Sequence, residues 1–317
     1  MNFRKKSIIL LCSTVAFLSA EALGQTCTCT CAALINPRDG DFCSKATGNW
    51  RVNGTWCTYN AKTGTWGDAA TTPIYTSLAL VCSPHSVEVT TTGSPNDIGT
   101  LIIEDANAPT SPGEVKIHSS SGSLFQWLGV YAALDMKAAK TDPGRILLTD
   151  NGTVGSPPKL LAGTDIVIGG LVRSAAAVRV GAAIETTGSY VATIAPKGVV
   201  AATNAPLVLN GAFEMEGTVL ADGPYTITVQ GSGPRAGSSG KWEIAHDSGT
   251  IKFATTTDPL TINSSAGCFL IKGGTLDIDQ TLTFRGGLKQ LKGTVTNGKI
   301  DVAAGKTFTV TGRYLGP

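Results

Sequence analysis

Residues 274–284 read Gly274-Thr275-Leu276-Asp277-Ile278-Asp279-Gln280-Thr281-Leu282-Thr283-Phe284. A Gly-Thr turn opens a short alternating strand, and a second strand closes on hydrophobic-Thr-hydrophobic. The phrase recurs toward the C-terminus. Its Gly-Thr pairs are Gly217-Thr218, Gly249-Thr250, Gly274-Thr275 and Gly293-Thr294. Its closing triplets are Tyr225-Thr226-Ile227, Leu260-Thr261-Ile262, Leu282-Thr283-Phe284 and Phe308-Thr309-Val310. Self-similarity at about 20–35 residues marks a stacked, solenoid architecture. The steps between Gly-Thr pairs are 32, 25 and 19 residues. Uneven steps fit coils with fixed strands and variable loops. The fold expected is therefore all-β, a right-handed parallel β-helix. Strands every 8–12 residues also fit tandem β-sandwiches, so that class stays open.

Upstream, the strands continue. "SLALVCS" (77–83), "SVEVTTTG" (86–93), "GTLIIED" (99–105) and "GEVKIHS" (113–119) are short, β-branched and bounded by Gly, Pro, Ser or Asn. Residues 123–140 break the pattern: Leu124, Leu128, Tyr131 and Leu134 fit one apolar helical face, which predicts a short helical insertion. Ala-rich stretches over 141–216 suit a narrow interior. Inward Val, Ile, Leu and Ala are expected to stack from coil to coil, with Thr, Lys, Asp and Ser outside.

The chain opens with a secretory signal pattern at residues 1–22. Arg4, Lys5 and Lys6 precede an apolar stretch from Ile8 to Leu18, and Ala20-Glu21-Ala22 supplies a cleavage site. Without those residues, 22 basic and 22 acidic side chains remain. A neutral chain offers no field to attract nucleic acid or an anionic membrane. No span follows in the mature chain, and the localisation expected is extracellular or cell-surface.

Six cysteines cluster at Cys27, Cys29, Cys31, Cys43, Cys57 and Cys82, and Cys268 lies apart. In an exported chain the six read as up to three disulfides, and they allow fifteen pairings. The "CTCTC" run could hold a metal through thiolates only with a sharp bend, so disulfides are preferred. Residues 23–83 also hold Trp50, Trp56 and Trp66. This segment reads as a Cys/Trp-rich cap over the open end of a helix spanning 84–317.

One stretch carries a family resemblance. Gly48, Trp50, Thr55, Trp56, Pro73, Val81, His85, Val87, Val89, Leu101 and Ile103 fall in the order Gly-x-Trp, Thr-Trp, Pro, strand, Val-x-Val strand, Leu-x-Ile strand. Residues 45–105 thus resemble the glycine- and Trp-rich module that opens fibrocystin-like and hyaluronan-degrading cell-surface proteins. The resemblance implies a secreted parallel β-helix start and names no substrate.

Candidate chemistry is sparse. Glycan-cleaving β-helices need paired acids, or acids with Ca2+, on one outer face. Asp277 and Asp279 share a strand face, but two solvated outward residues are the simpler reading. No cofactor is called for otherwise. Trp50, Trp56, Trp66 and Tyr59 form either a sugar-stacking platform or the small core of the cap. His85, His118 and His246 lie apart, and no Gly-x-Ser-x-Gly elbow occurs. The function expected first is structural: a matrix, adhesive or filament-forming protein that assembles end to end or onto a cell-surface partner. Binding or cleaving extracellular polysaccharide is the alternative, and no enzyme class is named.

Overall fold

A computed structural model describes residues 34, 36–90, 96–118, 126–149, 158–174, 181–234 and 240–255. It also describes 260–262, 268–279, 281–284, 287–290, 292–296, 299–302 and 308–310. The described chain is all-β: 29 short strands and one 3-10 turn at Asn53–Thr55. The strands form sheets of 15, 11 and three members. Pairing is parallel except at the start, where Phe42–Ser44 meets Trp56–Asn60 and the latter meets Thr65–Asp68 in antiparallel fashion. Sandwiches are built from antiparallel sheets, so the tandem-sandwich alternative does not hold for this pairing.

Parallel partners are far apart in sequence, and the offsets give the repeat directly. In the 11-stranded second sheet, Val87 pairs with Val115, Val115 with Ile146, Ile146 with Val172 and Val172 with Val200. Val219, Trp242 and Phe269 continue the row. Every member is at most 1 % exposed, so the row is an unbroken apolar column. A matching column in the first sheet runs Leu128, Leu160, Ile184, Leu209, Val229, Phe253 and Ile278. A third set of strands carries Ile166–Ile168 onto Val191–Ile194, and the latter onto the second half of Leu207–Met215. Inward and outward residues alternate, as the strand period requires.

The columns meet in one core that extends from Phe42 to Val295. Trp242 of the second sheet packs at 5.1 Å from Phe253 of the first, and Phe269 lies 6.2 and 6.1 Å from them. Elsewhere the interior narrows, and Ala182, Ala192 and Ala202 fill it. A few polar side chains are buried as well, Ser44 and Ser174 fully. Ser174, fully buried, donates its hydroxyl to Ala205 O at 2.8 Å and accepts from Thr203 N, which satisfies it within a corner turn.

Three expectations change. Residues 123–140 hold no helix in their described part; Gln126–Met136 is an 11-residue strand. Leu128 and Leu134 do point inward, but with Val130 and Met136 at period two, while Tyr131 is 42 % exposed. Pairing with parallel neighbours on both sides decided between the two periods. No break falls at residue 83 either. Phe42–Ser44 stacks in parallel on Leu78–Val81, and Gly48–Asn49 on Ser86–Val89. The Trp-rich segment is thus the first turn of the stack, with the antiparallel strands on its edge.

The four Gly-Thr phrases also divide. Thr250, Thr275 and Thr294 are register partners, so three of the phrases share one corner. Thr218 lies in the second sheet, at a different corner. The true partner of Thr250 in the coil before is Thr226. The second corner is a column of glycines: Gly113, Gly144, Gly170, Gly198, Gly217 and Gly240. The carbonyls of the first five accept from Arg145, Leu171, Val199, Thr218 and Lys241 of the following coil. A Cβ on Gly144 would lie 2.7 Å from Ile103 O, and one on Gly240 would lie 2.7 Å from Gly217 O. Backbone occupies the space a side chain would need.

Gly240→Ala is therefore expected to lower stability by about 1–3 kcal/mol, the usual cost of forcing atoms into a filled site. Gly67 has nothing within 4 Å of a built Cβ, so Gly67→Ala should leave the midpoint of chemical denaturation nearly unchanged. Equal midpoints for both variants would contradict the corner column.

Candidate functional site

Trp50 and Trp56 are fully buried, so they are core and do not form a sugar platform. Their rings meet edge-on at 5.2 Å, and the Trp56 indole N–H donates to Trp50 O at 2.9 Å. Tyr59 and Trp66 are half-buried cross-strand partners with rings 5.3 Å apart. Trp66 also packs on a second cluster made of Cys43, Cys57, Leu80, Cys82 and Ile102. Cys43, Cys57 and Cys82 are disulfide-bonded. Three is odd, so these bonds are not closed among themselves. Cys27, Cys29 and Cys31 lie outside the described residues, as do the side chain of Cys268 and the signal segment.

Asp277 and Asp279 do share an outward face, and a lysine of the coil below occupies them. Lys252 Nζ lies 3.1 Å from Asp277 and 2.9 Å from Asp279. The two carboxylates hold the Lys252 ammonium pKa above its ordinary value. Other outward charges pair in the same way. Lys159 meets Glu185 at 2.5 Å, and Glu243 lies between Lys241 and Lys272. Among the described residues no group of three or more His, Cys, Asp or Glu is placed to hold a metal ion.

The remaining acids and histidines are mostly turn supports. Asp105, 5 % exposed, accepts from Lys140 N at 2.7 Å, and Glu104 accepts from Ser83 N at 3.0 Å. Burial pushes the Glu104 carboxyl pKa up. His246 Nδ1 accepts from Ser248 N, and Asp247 pairs with Lys292. Ser44 Oγ lies 2.9 Å from His85 Nδ1 and accepts from Cys82 N at 2.8 Å. This has the look of a nucleophile and base, but Ser44 is fully buried and the pair serves the turn.

A shallow groove of about 670 Å³ lies beside Arg38, Asp39, Asp41, Tyr75 and Thr100. Its carboxylates are already used: Asp39 accepts from Ala61 N and Asp41 from Arg38 N. Tyr75 is 64 % exposed at its rim.

A denser polar cluster lies on the outer face of the second sheet, and sequence reading missed it. Each coil adds one or two members, at outward positions between inward apolar residues. Lys116 Nζ lies 3.8 Å from Glu88 and 3.5 Å from Glu114. His118 Nε2 lies 3.6 Å from Glu88. Arg145 reaches Asp142 at 3.5 Å, and a pocket of about 160 Å³ opens between Arg145, Glu114 and Ser86. Arg173 follows one coil later, between Leu147 and Ala201 of its neighbours. The signal available in the sequence was the middle residue of Val87-Glu88-Val89, Val115-Lys116-Ile117 and Val172-Arg173-Ser174. Only the register shows that they share one face.

No protein-family model, curated protein or solved structure matches the chain. Among the described residues no helix is long and apolar enough to cross a membrane.

Burial, partly offset by a hydrogen bond with the Ser44 backbone, holds the His85 pKa below its ordinary 6.5. The unfolded chain then binds the proton more readily, so His85 costs stability as pH falls through and below about 6.5. Between pH 7.5 and 5.5 the wild type should lose more unfolding free energy than His85→Gln. A parallel pH dependence in the two proteins would refute the assignment.

Proposed function

We propose that the chain is an exported right-handed parallel β-helix that serves as a structural element of a cell surface or extracellular matrix, by self-association or on a matrix partner. The parallel register over successive coils supports the helix. Right-handedness follows from the strong preference of parallel crossover connections for that hand. The opening residues 1–22 support export, and the disulfide-bonded Cys43, Cys57 and Cys82 fit an oxidising compartment. The resemblance of residues 45–105 to fibrocystin-like modules is consistent with a cell-surface setting.

The observation that carries the structural reading is the use of the outward charges. Lys159–Glu185, Lys252–Asp277 and Lys272–Glu243 each join neighbouring coils, so the groups that could act on a substrate brace the stack instead. Each exposed pair contributes little alone, about 0–1 kcal/mol. Together they tie successive coils to one another on the outer face. A general acid and base facing one cleft is not among the described geometry.

Non-reducing electrophoresis with electron microscopy of the mature protein tests this. Filaments, or ladders of multimers that collapse with reductant, are the expected result. Uniform monomers at every concentration, with and without reductant, would sink the structural reading and leave polysaccharide binding or cleavage as the function to test.

A further inference from the structure

Seven side-chain polar atoms among the described residues are buried with no hydrogen-bond partner. Two are indole nitrogens of the interior, Trp50 and Trp242. The other five are Nδ1 and Nε2 of His118, Nε of Arg145, Nε of Arg173 and Oγ1 of Thr203. The atoms of His118, Arg145 and Arg173 belong to the second sheet, and the strand parity places them on its outer side, away from the inward Ile117, Ile146 and Val172, while Thr203 lies in the corner turn after Val199–Ala202. Buried polar groups are normally satisfied, because an unmade hydrogen bond costs about 1–3 kcal/mol. His118 Nε2 has Glu88 at 3.6 Å, so the atoms left without a partner on this outer face are Nδ1 of His118 and Nε of Arg145 and of Arg173.

Arg173 is the sharpest case. No described carboxylate pairs with it. Its register neighbours Leu147 and Ala201 are buried, so its guanidinium lies over an apolar shelf where charge-assisted hydrogen bonds gain strength. Arg145, one coil earlier, is anchored at one end by Asp142 at 3.5 Å and borders the pocket of about 160 Å³. Guanidinium groups bind oxyanions through paired N–H donors. Arg173 lies one coil above Arg145 and two register positions along the strand, since Arg145 pairs with Leu171 and Arg173 with Leu147, so strands about 4.8 Å apart set the two arginines on a diagonal of the face. The two arginines therefore define an oblique path across the face and suit a ligand that carries anionic groups at intervals along its length.

We propose that this face, around Arg145 and Arg173, binds a linear glycan carrying carboxylate or sulfate groups. The oxyanions lie on the two arginines. Lys116 belongs to a closed network with Glu88 and Glu114 and contributes less. The site gives the scaffold a ligand and does not require self-association, so the two fail separately.

Affinity electrophoresis of the full mature protein through gels containing polygalacturonate, heparin, neutral dextran or poly-L-glutamate tests the proposal. Retention by polygalacturonate or heparin and not by dextran is expected, and whichever retains more assigns the oxyanion. Arg173→Gln should weaken retention at least tenfold, with Arg173→Lys in between. Lys252→Gln, on the first sheet, should bind as the wild type does. Arg145→Gln, expected to weaken binding too, stands in should Arg173→Gln not fold. Absence of retention by either acidic glycan, retention by dextran as strong, retention by poly-L-glutamate as strong, or wild-type binding by a folded arginine variant would each overturn it.

Discussion

The structure depends on stacking in register. A strand here has no local reason to be flat, paired or buried; its inward side chains find apolar neighbours only in the coils before and after. Val115 on Ile146 on Val172 on Val200 is one such column, and each member excludes water from the next. Burying one such side chain is worth about 1.5–3 kcal/mol. A slip by one residue would turn each apolar set outward. The column therefore fixes register and stability together.

Register in turn dictates what the corners and the outer faces hold. Where one coil's corner sits on the next, carbonyl oxygens approach too closely for a Cβ, and glycines stack at Gly113, Gly144, Gly170, Gly198, Gly217 and Gly240. On the outside, residues about 25 apart become neighbours. That is how Lys252 meets Asp277, and how basic residues scattered through the sequence come to share a sheet with unpartnered donors. The interior sets the register, and the surface chemistry follows from it.

Much of this was legible in the chain. Period-two alternation marked the strands, and the late Gly-Thr steps of 25 and 19 residues are true coil lengths, since Thr250, Thr275 and Thr294 are register partners. The earlier phrase misled because Gly217-Thr218 and Gly249-Thr250 look alike, yet each glycine answers to a different corner. Leu128 and Leu134 fitted a helix as well as a strand; only the coils on either side of Gln126–Met136 made the choice. Trp50 and Trp56 carry no mark that separates a core from a platform, and burial does. The second-sheet cluster was invisible for a simpler reason: Glu88, Lys116 and Arg173 are one outward residue each, and nothing local relates them.

A double-mutant cycle on Ile227 and Ile251 tests the register most directly. They are partners in adjacent coils, both fully buried, and 24 residues apart in the chain. Ile227→Ala and Ile251→Ala should couple by about 0.5–3 kcal/mol, as contacting residues do. Ile227→Ala with Ile117→Ala, several coils away, should add to within about 0.5 kcal/mol. Additivity in the first pair, or coupling as large in the second, would contradict the stacked register on which the rest depends.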